Sequence, residues 1–233
     1  MSDNYLGNPN LKKTNVQQEF TAEQVEEYVK CSKDPSYFIE KYIKIVNLDE
    51  GFIPFNMYPF QKKMVKTFHR DRFSICKIPR QSGKSTTVCS YILWYALFNP
   101  TVNCAILANK GALARDLLQK IHMSYEALPS WLQQGIKEWN KGSIVLENDS
   151  KIVAAATSSS AVRGGSYNLV FLDEFAFVPF NLAEEFFRSV YPTITSGKNT
   201  KVMVVSTPNG MNHFYKMWVD AEESRSSYTP IEV

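Results

Sequence analysis

Residues 77–86 read Lys77-Ile78-Pro79-Arg80-Gln81-Ser82-Gly83-Lys84-Ser85-Thr86, and this stretch decides the fold. An apolar run, Phe73-Ser74-Ile75-Cys76, precedes it, and a helix-like run from Thr87 to Phe98 follows. A strand, a tight Gly-Lys-Ser loop and a helix in this order are typical of a phosphate-binding loop (P-loop). Backbone N–H groups and the helix N-terminus then face the phosphates, and the lysine supplies a positive charge. The usual pattern has a glycine five residues before Gly83, where this chain has Ile78.

A second motif ends in two adjacent carboxylates. Residues 168–174 read Asn168-Leu169-Val170-Phe171-Leu172-Asp173-Glu174, which predicts a buried strand that delivers charge at its C-terminal end. We expect Asp173 to hold Mg²⁺ together with the Ser85 hydroxyl. We expect Glu174 to polarise the water that attacks the γ-phosphate. The alternative, a strand ending in a solvated acidic turn, is less favoured downstream of a P-loop.

A third apolar strand, Val202–Val205, ends in the small residues Ser206-Thr207-Pro208. If this strand lies between the other two, Ser206 and Thr207 face the γ-phosphate and can report its presence to a moving part. An ordinary turn at the end of a strand explains the same residues equally well.

Three further side chains are candidates for the site. Arg80 within the loop and Arg163 in a glycine-rich loop could each neutralise charge that develops on the transferring phosphate. An exposed loop arginine is more often a solvated charge, so this interpretation depends on the neighbouring motifs. The amide of Gln61 could pair with a donor and an acceptor on an adenine edge, which is a weak signal when taken alone.

Composition bounds the class of protein. The chain has 233 residues, of which 44% are hydrophobic and 21% charged, as in an ordinary globular domain. The net charge of +3 neither demands nor excludes nucleic acid as a partner. The four cysteines form no C-x-x-C pair, which predicts a reducing compartment and no structural zinc. No stretch reaches the roughly 18 apolar residues of a membrane span, and the first residues lack the pattern of a signal peptide, so we expect a cytosolic protein without a membrane partner.

Short apolar strands alternate with helical patterns along most of the chain. This predicts an α/β fold in which helices cover both faces of a mainly parallel sheet. Together with the P-loop, the pattern indicates a P-loop NTPase sheet with N-terminal helices attached to it.

With these elements in order, the chain resembles the ATPase domain of the large terminase subunit of tailed bacteriophages, the motor that packages DNA into proheads. It is most similar to the myovirus type, in which the Arg-Gln pair and the absence of the first glycine are common features. The match runs from about Tyr37 to Trp218. The motifs that carry it are Pro79-Arg80-Gln81-Ser82-Gly83-Lys84-Ser85, Glu138-Trp139-Asn140-Lys141-Gly142-Ser143, Ala161-Val162-Arg163-Gly164, Phe171-Leu172-Asp173-Glu174, Ser206-Thr207-Pro208-Asn209-Gly210 and Asn212-His213-Phe214-Tyr215.

The resemblance implies a sheet of the additional-strand, RecA-like class, with a small N-terminal helical or lid subdomain. It also implies Mg²⁺-dependent hydrolysis of ATP that drives the translocation of double-stranded DNA. The roles it implies are adenine reading for Gln61, phosphate contact for Arg80 and Lys84, a Walker B pair for Asp173 and Glu174, coupling of hydrolysis to movement for Ser206-Thr207-Pro208, and action in trans between ring subunits for Arg163. The nucleotide-binding residues would be Gln61, Pro79, Arg80, Gln81, Ser82, Gly83, Lys84, Ser85, Thr86, Ser206 and Thr207. Whether Arg80 or Arg163 is the operative arginine finger stays open.

The implied partners are double-stranded DNA, the portal vertex of the prohead, the small terminase subunit and further copies of the chain in a ring. Such a virus-encoded protein would act in the host cytoplasm, transiently at the portal, and would be absent from the mature virion. Family members also carry a C-terminal RNase H-like nuclease domain, whereas this chain ends at Val233. We therefore expect nuclease activity only in a full-length parent.

The expected divisions are a flexible arm over residues 1–20, a helical or lid segment over 21–57, the ATPase core over 58–210 and the start of a truncated lid subdomain over 211–233. Two other functions are compatible with parts of the pattern. A helicase-like nucleic-acid translocase shares the Asp-Glu pair, but 233 residues leave no room for a second RecA-like domain. A nucleotide-binding scaffold without turnover would have no need of Glu174.

Overall fold

An eight-stranded sheet forms the centre of the molecule. The structure is a computed structural model and describes residues 3–47, 49–158, 165–189, 191–192 and 197–233. Its helices are α1 (Ala22–Lys33), α2 (Pro35–Tyr42), α3 (Pro59–Arg70), α4 (Lys84–Phe98), α5 (Gly111–Glu126), α6 (Phe180–Ser189) and α7 (His213–Glu222). Its strands are β1 (Lys44–Asn47), β2 (Gly51–Pro54), β3 (Phe73–Lys77), β4 (Asn103–Ala108), β5 (Ile136–Trp139), β6 (Ser143–Leu146), β7 (Lys151–Ala156), β8 (Leu169–Asp173), β9 (Lys201–Ser206) and β10 (Thr229–Glu232).

Side-chain caps mark the N-termini of the first two helices. Thr21 accepts a hydrogen bond from the backbone N–H of Gln24, whose side chain accepts from Thr21 N–H in return, and this capping box starts α1. The Asp34 carboxylate caps α2 by accepting from the N–H groups of Ser36 and Tyr37. Both helices therefore begin at a residue whose side chain accepts hydrogen bonds from N–H groups of the first turn.

The strand order in the main sheet is β10-β3-β9-β8-β4-β7-β6-β5. The strands from β10 to β7 are parallel, whereas β6 and β5 are joined in antiparallel pairs that extend one edge. The separate strands β1 and β2 form an antiparallel pair of their own. The prediction of a mainly parallel sheet is confirmed, and β6 and β7 form an antiparallel hairpin at its edge.

Helices cover both faces of this sheet. In β8, Leu169 and Phe171 face the apolar core that also contains residues of α1 to α5. The alternate residues Val170 and Leu172 face a second core with α6 and α7. Because both faces of β8 are buried, its sequence is a continuous apolar run rather than an alternation. The predicted α/β fold, sandwiched by helices, is confirmed.

Strand β9 lies between β3 and β8. Its residue pairs bring Lys77 opposite Ser206 and Asp173 opposite Val205. Since all three strands are parallel, their C-terminal ends meet at one edge of the sheet. The condition for the interpretation of Ser206 and Thr207 as site residues is thus fulfilled, and this placement is the additional-strand order.

The two terminal segments pack against the sheet. Residues 1–20 were expected to be a flexible arm, but Leu11 is buried and the backbone of Lys13 bridges to Ile136 of β5. Gln133 Nε2 also donates to the carbonyl of Asn10, at 3.0 Å. At the other end, β10 pairs with β3, so residues 229–232 are an edge strand of the main sheet.

The four cysteines are free and buried, and burial raises the pKa of the Cys31 thiol to about 12. Within the described ranges, no helix is both long and apolar enough to cross a membrane.

Candidate active site

The loop between β3 and α4 begins at the C-terminal end of β3, at the edge of the sheet. Ile78 continues the strand ladder, because its N–H donates to the carbonyl of Ser206 at 3.1 Å. Gly83 then adopts φ 75°, directly before α4. A Cβ atom on Gly83 would lie 2.7 Å from Nε2 of Gln61, so both the backbone conformation and the close approach require glycine here. The N-terminus of α4 carries no side-chain cap, and its first N–H groups can face an anion.

Lys84 is buried and paired within the protein. Its Nζ atom lies 2.9 Å from Oε1 of Glu174, and only 7% of its side chain is exposed. The same ammonium donates to Oγ1 of Thr207 at 3.2 Å and to the carbonyl of Pro79 at 3.4 Å. The lysine of the P-loop, the second carboxylate of β8 and the end of β9 are therefore one hydrogen-bonded group.

Glu174 has an unusual backbone conformation. Its φ of 46° lies in the left-handed region, which costs a residue other than glycine about 1–2 kcal/mol. Its carboxylate accepts from the N–H of Thr207 at 3.0 Å, and from the hydroxyls of Thr207 and Ser206 at 3.3 Å. Burial raises the pKa of this carboxyl, but the hydrogen bonds from Lys84 and Thr207 outweigh burial and lower its pKa overall. Glu174 is thus ionised and held by the end of β9.

Asp173 lies deeper, beside the first turn of α4. The Ser85 hydroxyl donates to its Oδ1 atom at 3.3 Å. Burial and the neighbouring charge of Glu174 raise the pKa of Asp173 to about 6, against the opposing effect of Lys84. Two adjacent oxygens in an octahedral Mg²⁺ shell, each about 2.1 Å from the ion, lie roughly 3 Å apart. The Ser85 and Asp173 oxygens fit that separation and are the oxygen ligands that Mg²⁺ prefers.

Gln61 contacts the P-loop from α3. Its side chain is buried, its Oε1 atom accepts from the N–H of Tyr58 at 2.8 Å, and its Nε2 atom donates to the carbonyl of Ser82 at 3.0 Å. Both ends of the amide are therefore bonded to the main chain of the protein. This observation gives Gln61 a support role for the loop that the sequence did not indicate.

Of the two candidate arginines, Arg80 lies within the described residues and Arg163 does not. Arg80 is exposed, and its guanidinium lies 5.3 Å from the centroid of the Phe177 ring, in the turn after β8. Such a contact orients the charge beside the loop. Arg163, together with residues 159–164, lies outside the described residues.

The turn after β8 is fixed by residues that sequence reasoning missed. The N–H of Ala176 donates to Oγ of Ser206 at 3.0 Å, and its carbonyl accepts from Nδ2 of Asn212 at 2.7 Å. Nδ2 of Asn209 also approaches that carbonyl, at 3.3 Å. Asn209 and Asn212 belong to the stretches that carry the family resemblance, but an asparagine in a loop has too many uses for its sequence to indicate this contact.

Comparison with known proteins gives a family match and several similar folds. Residues 75–233 match the family described as "Terminase large subunit, T4likevirus-type, N-terminal". The large terminase of bacteriophage HK97 is 18% identical and superposes with a TM-score of 0.71 over 84% of this chain. The large terminase ATPase domain of Thermus phage P74-26 is 18% identical, with a TM-score of 0.58, over 76% of this chain and 80% of its own. The large terminase of a thermophilic bacteriophage, in complex with ATP-gamma-S, is 15% identical, with a TM-score of 0.57, over 76% of this chain and 44% of its own.

These structural matches establish the fold. The chain spans 42% of the HK97 large terminase chain that it matches.

Proposed function

Because this chain belongs to the family of N-terminal domains of T4-like large terminase subunits, we propose that it hydrolyses ATP to drive double-stranded DNA into a viral prohead. One observation carries the proposal. The three parallel strands β3, β9 and β8 bring the P-loop, Thr207 and the Asp173–Glu174 pair to one edge of the sheet. A phosphate cradle, a pair of oxygen ligands and an ionised base are the parts that phosphoryl transfer to water needs.

Nucleotide binding begins with an exchange of partners at Lys84. In the structure its ammonium pairs with Glu174 and bonds to Thr207 and Pro79. The β- and γ-phosphates of ATP carry more negative charge than one carboxylate, and they lie against the N–H groups at the start of α4. We propose that Lys84 moves to the phosphates and leaves Glu174 free to accept a hydrogen bond from water.

Mg²⁺ would be held by the Ser85 hydroxyl and the Asp173 carboxylate, which lie 3.3 Å apart. The ion, when bound, neutralises charge on the β- and γ-phosphates. Asp173 must be ionised to act as a ligand, and its raised pKa of about 6 leaves it ionised at neutral pH.

Glu174 would act as the general base. After Lys84 has moved, the Thr207 N–H and the Ser206 hydroxyl still hold the Glu174 carboxylate beside the loop, and the hydrogen bond from Thr207 still favours the ionised form by lowering its pKa. General bases in this role contribute about 10²–10⁴-fold to the rate. The contacts to Thr207 also make β9 the element that senses whether Glu174 is paired with Lys84 or with water, which supports the coupling role of Ser206 and Thr207.

We propose the remaining roles by analogy with the family. Arg80 would contact the phosphates of its own site, and Arg163 would reach the site of a neighbouring subunit in a ring. Gln61, with its amide on the P-loop, lies where it could also approach a nucleotide base.

The partners we propose are DNA, the portal vertex, the small terminase subunit and copies of the chain, with action in the host cytoplasm, outside the mature virion. We keep residues 21–57 as an N-terminal helical or lid segment and residues 58–210 as the ATPase core, and we add residues 229–232 to that core because β10 pairs with β3.

The proposal is tested by phosphate release from ATP with and without double-stranded DNA, at several protein concentrations. Glu174→Gln should bind ATP normally but lose hydrolysis by about 10²-fold or more, because the amide cannot take a proton. Glu222→Gln, an exposed substitution in α7, serves as the matched control and should keep full activity. A Glu174→Gln protein as active as Glu222→Gln would overturn the assignment of the base. A rate per molecule that rises with protein concentration would support completion of the site by neighbouring subunits.

A further inference from the structure

The peptide group of Ala176 is held on both sides. Its N–H donates to the Ser206 hydroxyl at 3.0 Å, and its carbonyl accepts from Asn212 at 2.7 Å. Ala176 is two residues beyond Glu174, within the short 3₁₀ turn Phe175–Phe177. The turn that carries Glu174 is therefore bonded to both ends of the segment that links β9 to α7.

Asn212 uses its whole side-chain amide in this arrangement. Its two Nδ2 hydrogens serve the carbonyls of Ala176 and of Asn209, at 2.7 and 2.8 Å. Its Oδ1 atom accepts from the N–H of Tyr215, at 3.1 Å, which caps the N-terminus of α7. An asparagine is the side chain that offers both the donor and the acceptor at this length.

Glu174 needs such support because of its backbone. A φ of 46° is disfavoured for glutamate, so the turn keeps this conformation only while the surrounding bonds impose it. The conformation also sets where the carboxylate lies, 3.0 Å from the N–H of Thr207. Loosening of the Ala176 peptide would let Glu174 relax and move its carboxylate away from the P-loop.

We propose that Asn212 is a positioning residue for Glu174, acting through the Ala176 carbonyl. The inference rests on the proposed function, in which Glu174 is the general base. Asn212 does not approach the P-loop residues through any of its hydrogen bonds given above, so its effect is on the rate of the chemical step. It also connects α7 to the turn at Glu174, so a movement of α7 would change the geometry of the base.

The deciding variant is Asn212→Asp. An aspartate keeps the Oδ1 acceptor and remains a good cap for α7, but it cannot donate to Ala176. We expect kcat for ATP to fall about tenfold or more while KM changes less than about twofold, since only a transition-state contact is affected. Asn212→Ser, which also keeps a cap, should give a similar loss. Asn47→Asp is the matched control, because within the described part of the chain the Asn47 side chain bonds through its Oδ1 atom alone, toward the N–H groups of Asp49 and Glu50.

A second measurement does not depend on activity. Native-state hydrogen exchange followed by mass spectrometry should show faster exchange of the segment around Ala176 in Asn212→Asp, with unchanged protection of α7. Unchanged exchange around Ala176 would overturn the proposal. Equal losses in kcat, ATP affinity and protection of α7 would also overturn it, since they indicate a general loss of structure.

Different results contradict the role of Glu174 and the role of Asn212. A fully active Glu174→Gln protein contradicts the proposed function, whatever Asn212→Asp does. An inactive Glu174→Gln protein together with wild-type kcat in Asn212→Asp contradicts only the positioning role.

Discussion

The ammonium of Lys84 lies 2.9 Å from the carboxylate of Glu174, so the phosphate-binding lysine and the proposed base neutralise each other. Both side chains are largely removed from water, with 7% of Lys84 and 27% of Glu174 exposed. A pair in this environment needs both partners, because a single buried charge is costly. The same two groups that are paired here must separate for hydrolysis in the mechanism we propose.

Replacement of Lys84 should therefore affect both binding and stability. Lys84→Ala should weaken ATP binding by about tenfold or more, since one charge-assisted contact to the phosphates is lost. It should also lower the free energy of unfolding by about 1–3 kcal/mol, because Glu174 keeps a partly buried charge. Urea titration measures the second effect. In Lys84→Ala/Glu174→Gln the loss of stability should be smaller than in Lys84→Ala.

The matched control for stability is Lys137→Ala. It removes a pair with Asp149 whose side chains are exposed by 42% and 66%. Exposed pairs contribute about 1 kcal/mol or less. Equal destabilisation by Lys137→Ala and Lys84→Ala would contradict the special character of the buried pair.

The stability of the protein should depend on the ionisation of Asp173. Its pKa rises from 3.8 in the unfolded chain to about 6 in the folded protein, so the folded state binds more protons between these values. Stability must then decrease as the pH rises through this interval, and the decrease must be complete above about pH 7. Asp173→Asn should lack this component. The measurement is urea unfolding in EDTA across about pH 4–7, for both proteins.

The difference between the two Asp173 proteins is the informative quantity, because Glu174 acts in the opposite direction. The lowered pKa of Glu174 contributes stability that is lost on acidification. Subtraction of the Asp173→Asn profile removes that shared component. A difference that is flat with pH would show that Asp173 titrates normally.

Gln61 offers a choice between base reading and loop support. Gln61→Met removes the contacts of the amide with the N–H of Tyr58 and with the Ser82 carbonyl without adding a charge beside the loop. We expect it to weaken ATP, GTP and inorganic triphosphate binding by similar factors of about 3–30, because the lost contacts hold the loop and each such bond contributes about 0.5–1.5 kcal/mol. Fluorescence competition measures all three. A loss confined to ATP would instead favour base reading.

The two arginines should behave differently in mixed assemblies. Arg163→Ala and Glu174→Gln subunits, each inactive alone, should regain hydrolysis when mixed, if Arg163 completes the site of a neighbour. Arg80→Ala mixed with Glu174→Gln should not, because Arg80 contacts Phe177 of its own chain, beside its own site. The readout is phosphate release against the mixing ratio. Absence of restoration at every ratio would remove the trans role from Arg163.

Much of the fold and site could be predicted because the signals are local. The P-loop, the apolar run before Asp173 and the alternation of strands and helices each need only neighbouring residues. The position of β9 could be stated only as a condition, since parallel pairing joins residues as distant as Ile75 and Val204. Strand β10 was missed because Thr229-Pro230-Ile231-Glu232 has little strand character and forms against the open edge of β3.

The contacts within the site were harder to anticipate. The sequence predicts that Lys84 contacts phosphate and that Glu174 contacts water. In the structure the two side chains form an ion pair with each other. The packing of the N-terminal residues is also hard to predict, because the residues around Leu11 in the segment 7–15 are polar, glycine or proline and most contacts there involve the main chain. Sequence patterns report apolar faces well, but they do not report a hydrogen bond to a distant carbonyl.

The neighbours of β3 have a consequence for the synthesis of the chain. The strand that leads into the P-loop pairs with β9 on one side and β10 on the other, and both are made more than a hundred residues later. Until residues 201–232 have left the ribosome, β3 lacks both neighbouring strands, and the edge of the sheet at the P-loop is incomplete. The P-loop is therefore translated before both strands that flank β3, and it takes its final shape only after they have paired. Folding that depends on contacts between residues so distant in sequence is slow.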